Sequence, residues 1–173
     1  ADFGNTIIIT IDKQATLITD MHFEFTLPPA GKNGTDSSNN NISGSPNGVV
    51  DNFRDYVHWV NAVGYAIIES IELIIDGNTI DKHVGLWFDI WNELTDPNRK
   101  EWPLVGKRIE SDNKLIITDT NTNYYVPLHF FFNRNPGLAL PIFIIGENKI
   151  KIKINFNNLI NLLNFNINIE DDG

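Results

Sequence analysis

Two pairs of carboxylates, Glu69/Glu72 and Asp89/Glu93, are the nearest this chain comes to a catalytic constellation. A general acid and a second carboxylate on either side of a glycosidic bond are what glycoside hydrolysis requires. Glu69 and Glu72 lie three positions apart in a stretch with strand character, so they point to opposite faces. Asp89 and Glu93 lie four apart in a stretch with helical spacing and share its polar side, where solvation is the expected state. The four histidines, at 22, 58, 83 and 129, show neither the i, i+4 spacing nor the thiolate partners of a zinc site. His22 falls on the polar face of its strand and His83 at the start of a predicted helix, so surface or capping roles account for both. No glycine-rich phosphate cradle follows a strand, and no nucleophile elbow is present. The residues therefore nominate no catalytic, metal or cofactor site. Lys149, Lys151 and Lys153 make a basic stripe that could meet an acidic neighbour or a lipid head group, but a solvated face is the simpler reading.

Exposed tryptophans could stack on sugars, as in a lectin-like module. Trp87 and Trp91, however, share a helical stripe with Ile90 and Leu94, which predicts packing against the core. On that reading Trp91→Ala costs about 3–5 kcal/mol. Trp59 and Trp102 carry no assignment. The formal charge of −9 and pI near 4.7 exclude a sequence-independent nucleic-acid binder, which needs a dense basic surface. No apolar run reaches the roughly 20 residues of a membrane-spanning helix. With no cysteine, disulfides and thiolate metal sites are excluded, and a reducing compartment suits the chain. Ala1 in place of an initiating Met points to a piece of something longer.

The elements that must position these residues read mainly as strands. Thr6–Ile11 and Met21–Leu27 alternate in period two, the latter with Met21, Phe23, Phe25 and Leu27 on one face. Pro28–Gly48, rich in Gly, Asn, Ser and Pro, is a long exposed loop. Its two glycosylation-type triplets, Asn33-Gly34-Thr35 and Asn41-Ile42-Ser43, are more simply accidents of an Asn-rich stretch. Asp51–Tyr65 fits a helix and a strand equally. Ala66–Ile75 is a strand, Asp76-Gly77 a hairpin turn, and Asn78–Ile80 the returning strand. Trp87, Ile90, Trp91 and Leu94 predict a short helix within Lys82–Leu94. Strand character resumes at Leu115–Thr118 and Tyr124–Phe132, where Pro127 favours an edge or bulge. Asn135-Pro136 reads as an N-cap with Pro at the first helical position, opening a brief helical turn that Pro141 ends. Lys149–Phe156 alternates with Ile150, Ile152, Ile154 and Phe156 on one face; Phe165, Ile167 and Ile169 give a weaker last strand. Short strands, frequent turn signals and scraps of helix define an all-β, antiparallel sandwich or barrel in one domain, 1–173.

Several stretches together resemble the amino-terminal jelly-roll domain of major capsid proteins from nucleocytoplasmic large DNA viruses, the group of iridoviruses, phycodnaviruses and mimivirus-like viruses. They are Asp2-Phe3-Gly4 before an Ile/Thr strand, Trp59-Val60-Asn61 with Gly64, Ile71-Glu72-Leu73 through Gly77, and Asp81-Lys82-His83 into Trp87-Phe88-Asp89-Ile90-Trp91-Asn92-Glu93-Leu94-Thr95. The last runs from Tyr125-Val126-Pro127-Leu128 through Phe132-Asn133-Arg134-Asn135-Pro136-Gly137-Leu138-Ala139-Leu140-Pro141. The resemblance implies one half of a double jelly roll, the second barrel being absent from this chain, with residues 28–48 as an exterior loop. It also implies a non-enzymatic shell protein that assembles in the host cytoplasm into homotrimeric, pseudo-hexagonal capsomers of an icosahedral virion capsid. Its partners would be copies of itself, neighbouring capsomers and minor capsid proteins, with no nucleic acid and only indirect contact with an inner membrane. Trp87, Ile90, Trp91, Asn92, Glu93, Leu94, Arg134, Asn135, Pro136 and Gly137 form the structural motif on this reading. Arg134 is expected to pair with Glu93 or Asp81, and Asn135 to cap the turn at Pro136. A transient capsid-like scaffold and a carbohydrate-binding jelly-roll module are the alternatives.

Overall fold

A computed structural model describes residues 2–12, 16–28, 56–96, 98–108, 121–145 and 149–166. In chain order the elements are β1 (Thr6–Thr10), β2 (Leu17–Ile18), β3 (His22–Leu27), β4 (Tyr56–Trp59), α1 (Val63–Ala66), β5 (Ile68–Ile75), β6 (Asn78–Val84), α2 (Gly85–Thr95) and α3 (Trp102–Val105). After these come β7 (Thr122–Pro127), β8 (Leu140–Pro141), β9 (Ile150–Phe156) and β10 (Leu163–Asn166), with single 3₁₀ turns at Phe131–Asn133, Pro136–Leu138 and Leu159–Leu162.

The main sheet has the order β1-β9-β5-β6, with every pairing antiparallel. Strands from opposite ends of the chain thus lie side by side, Thr6 facing Asn155 and Leu73 facing Ile152. The β3–β7 ladder lies over the core face of this sheet, and the Phe23 and Phe156 rings meet at 5.9 Å between the layers. Ile71, Leu73, Ile152 and Ile154 from the sheet and Leu27, Tyr124 and Val126 from the ladder fill the dry interior. Alternation dictates this arrangement: in β3 the inward Phe23, Phe25 and Leu27 interleave with exposed His22, Glu24 and Thr26. Two further short ladders, β4–β10 and β2–β8, complete the described β-structure. The architecture is that of an antiparallel β-sandwich with a few short helices.

The hairpin between β5 and β6 turns on Asp76 (φ 51) and Gly77 (φ 83), the two left-handed residues of a type I′ turn, as the Asp-Gly pair predicts. β6 runs on to Val84 and takes up residues expected to open the helix. The ambiguous stretch contains both structures, an extended β4 followed by the α1 turn. β7 stops at Pro127, which has no N–H to continue a ladder, so the strand expected up to Phe132 gives way to a 3₁₀ turn. The predicted loop beyond Pro28 with its two glycosylation triplets, the strand at Leu115–Thr118, and Ile167 and Ile169 lie outside the described residues.

Helix α2 corrects the sequence reading most. Its inward side is Gly85, Phe88 and Asn92; Leu94 is 74% exposed, Ile90 45%, and Trp87 and Trp91 are half-buried on one flank. The helix is rotated by roughly a third of a turn from the phase its apolar stripe predicts, since each residue advances by about 100°. Gly85 allows the approach that fixes this phase. A Cβ there would lie 2.3 Å from the carbonyl oxygens of both Tyr65 and Ile68.

Candidate functional site

The groups that could do chemistry gather around α2. Lys107, with a side chain only 7% exposed, donates to Asp89 at 2.6 Å, pairs with Glu93, and lies 4.9 Å from the Trp102 ring centroid. Burial pushes the ammonium down, but the hydrogen bonds to Asp89 and Glu93 outweigh it and hold the group above the usual lysine range. Asp89 and Glu93 are therefore the two halves of an ion-pair clasp, and they keep much of the solvated face expected of them while holding a buried cation. Trp102, unassigned from sequence, is buried against this ammonium and also against the Arg99 guanidinium, which lies 4.5 Å from its centroid. Asn92 donates to Glu101 Oε2 at 2.9 Å and ties the end of α2 to α3.

The tryptophan flank of α2 rests on two histidines. His83 is buried, contrary to the surface role predicted, and its ring lies about parallel to Trp87 and against Phe88 and Phe130. Its Nε2 is 3.2 Å from Asp81 Oδ1, an ion-pair distance without hydrogen-bond alignment. Asp81 also accepts from the Phe131 amide at 3.1 Å, joining β6 to the turn after β7. His129 sits against Phe88 and Trp91 with its Nε2 buried and unpartnered. Burial first, then His83, Arg134 and His22, push its pKa down to about 4.

Arg134 pairs with neither Glu93 nor Asp81. Its guanidinium lies over the Trp91 ring at 5.4 Å and its Nε donates to the His129 carbonyl at 3.3 Å. The indole face and the carbonyl take the place of the expected carboxylate. Asn135 caps as expected, its Oδ1 accepting from the Gly137 amide at 2.9 Å ahead of Pro136.

Glu72 and Glu69 do not converge. Glu72, 9% exposed on the outer face of the sheet, pairs with Lys82 at 3.0 Å and Lys153 at 3.7 Å. The Lys82 hydrogen bond leads the causes that hold its carboxyl below the usual range. Lys149 pairs with Asp76, so two members of the predicted basic stripe meet acidic neighbours. Glu69 lines a cavity of about 360 Å³ with Asn61, Tyr65, Asp89 and Asn157. Both amides there are already committed, Asn61 to Arg108 and Ala62, Asn157 to Ala66, Asn158 and Asn161. With Asp89 held by Lys107, Glu69 stands without a second carboxylate to work with, so no acid–base pair is built there.

The surface carries what spacing could not reveal. Large apolar side chains stand exposed on several separate elements: Leu86, Ile90 and Leu94 along α2, Ile8 and Ile9 on β1, Phe143 and Ile144 after β8, and Leu159 and Ile160 before β10. A β-sandwich with apolar side chains on several sides, and no catalytic pair among the groups described above, has the surface of a structural protein that works through contacts. Residues 1–169 match the family described as the major capsid protein N-terminus, and the chain belongs to that family. Among its relatives are probable capsid protein 4 of Acanthamoeba polyphaga mimivirus, 30% identical over 90% of this chain and 28% of its own, and the major capsid protein of Paramecium bursaria Chlorella virus 1, 27% identical over 95% and 32%. Superposition on the quasi-atomic structure of the PBCV-1 virus capsid gives a TM-score of 0.66 at 27% identity, covering 96% of this chain and 33% of that one. The structural neighbours are double jelly rolls, and the sandwich described above is of the jelly-roll kind. The chain spans about a third or less of the length of these relatives.

Proposed function

We propose that this chain is one jelly-roll barrel, residues 1–173, of a double-jelly-roll major capsid protein that trimerises into pseudo-hexagonal capsomers of an icosahedral shell. The observation that carries the reading is the distribution of exposed apolar side chains over α2, β1 and the segments flanking β8 and β10. A subunit inside a shell touches neighbours on more than one side, whereas a binding module concentrates its apolar surface at one site. The family relationship supports the same reading.

On this proposal the chain acts by shape and contact, without catalysis, in the virion capsid, and is assembled in the host cytoplasm. Its neighbours are copies of itself, adjoining capsomers and minor capsid proteins. Trp87, Trp91, Arg134 and the Asn135-Pro136-Gly137 turn serve as the brace that holds α2 at one angle to the sandwich. Quantitative mass spectrometry of purified mature virions tests it, with the polypeptide expected among the most abundant components. Its absence there, with presence only in immature particles, would assign a transient scaffold; specific retention on a glycan array by a monomeric polypeptide would assign a carbohydrate-binding module.

A further inference from the structure

The two edges of the main sheet are built differently. β6 carries Asp81 and Lys82, its pairing with β5 shifts register between Leu73 and Ile74, and α2 follows it directly. Charges and irregular pairing of this kind are what keep a sheet edge from recruiting another strand. β1 has none of them. It reads Thr6-Ile7-Ile8-Ile9-Thr10, pairs with β9 in unbroken register, and among the described residues has no strand on its other side. Ile8 is 59% exposed on the outer face, and Ile9 remains 45% exposed on the face where Ile7 packs against the core.

The geometry points to β1 as a docking edge for β1 of a second copy, the two strands running antiparallel about a twofold axis at Ile8. Hydrogen bonding sets this register. Phe156 N donates to Asn5 O and Ile11 N to Ile150 O, so the odd residues of this stretch face β9. By alternation, the N–H and C=O of Thr6, Ile8 and Thr10 face the open edge. Centring on Ile8 sets Ile8 against Ile8 and Thr6 against Thr10, closing both bonds of each pair. The sequence is the same read in either direction, so Ile7 meets Ile9 and every side chain faces one of its own kind.

Electrostatics fits the same occupant. Copies with a formal charge of −9 repel, but β1 carries no charge, and Asp12 falls opposite Gly4 of the second copy rather than opposite another carboxylate. The pairing is isologous and closed for this sheet, because it consumes the β1 edge of each copy and leaves a β6 on each side. Five residues a side bury less than the roughly 1,200 Å² of a stable specific interface. The seam is thus weak between free chains and cumulative in an array. This inference rests on the self-assembly reading for its biological use.

Single-cysteine crosslinking tests it cleanly, because the chain has no cysteine of its own. In the proposed register Ile8→Cys places two Cα atoms about 5.5 Å apart, within the span of a disulfide. Thr6→Cys places its two copies roughly 14 Å apart, beyond it. Under mild oxidation the Ile8→Cys chain should form disulfide dimers about ten-fold faster than Thr6→Cys. Equal rates at positions 6 and 8, or no dimer at either, overturn the inference. Protection of the β1 amides in virions without an Ile8→Cys crosslink means another strand occupies the edge, and also overturns it. Capsomers that form normally in that case leave the capsid reading intact.

Discussion

Ile71 and Leu73 of β5 meet Ile152 and Ile154 of β9 with no polar atom among their side chains, whereas α2 is tied through its own Asn92 to Glu101 and seated on Lys107, His83 and His129. The first region is held by removal of apolar surface from water and is indifferent to pH. The second is held by a buried cation, two half-exposed carboxylates and an imidazole that must stay neutral. A rigid sandwich and a titratable brace thus coexist in one chain, and the exposed apolar stripe of α2 is presented by the titratable part.

Substitutions separate the two. Leu73→Ala, at a side chain with no exposure, should cost about 2–5 kcal/mol in urea unfolding and the same at pH 5 and pH 8. Trp91→Ala should cost about 2 kcal/mol, less than for a fully buried tryptophan, because the ring is half-exposed and braced mainly by Arg134 and His129. His129, whose pKa lies near 4 in the folded chain against an ordinary 6.5, stays neutral in the fold while the unfolded chain takes up a proton. Stability should therefore be complete above pH 6.5 and fall by about 2 kcal/mol as pH drops towards 4, allowing for partial solvent screening. His129→Phe should flatten that slope, while Leu73→Ala should retain it. Lys107→Ala should cost about 1–2 kcal/mol, in part sensitive to salt because Asp89 and Glu93 are partly solvated. Leu94→Ser should change stability by no more than about 0.5 kcal/mol, since the side chain already stands in water.

Strands with one dry face were legible because burial and period coincide. β3, β5 and β9 appear where alternation places them, and the Asp76-Gly77 turn and Asn135 cap follow from local chemistry that needs no tertiary context. Helix α2 was legible in existence and not in phase. An apolar stripe marks the core only where apolar residues are confined to it, and here Leu86, Ile90 and Leu94 stand outward while Phe88 and Asn92 turn in. Lys107 reaches Asp89 and Glu93 across 18 and 14 positions, a tertiary contact no spacing rule anticipates. His83 is buried because β6 extends through it and carries it under Trp87, and that length depends on β5 alongside. Arg134 illustrates the same limit, since the carboxylates expected to hold it lie 41 and 53 positions away in sequence and it finds an indole and a carbonyl in space instead.

Electron microscopy of the purified polypeptide carrying this chain is the most direct test that the sandwich is a shell component. Compact trimers with a pseudo-hexagonal outline are the predicted result. Dispersed monomers at every concentration would contradict the account.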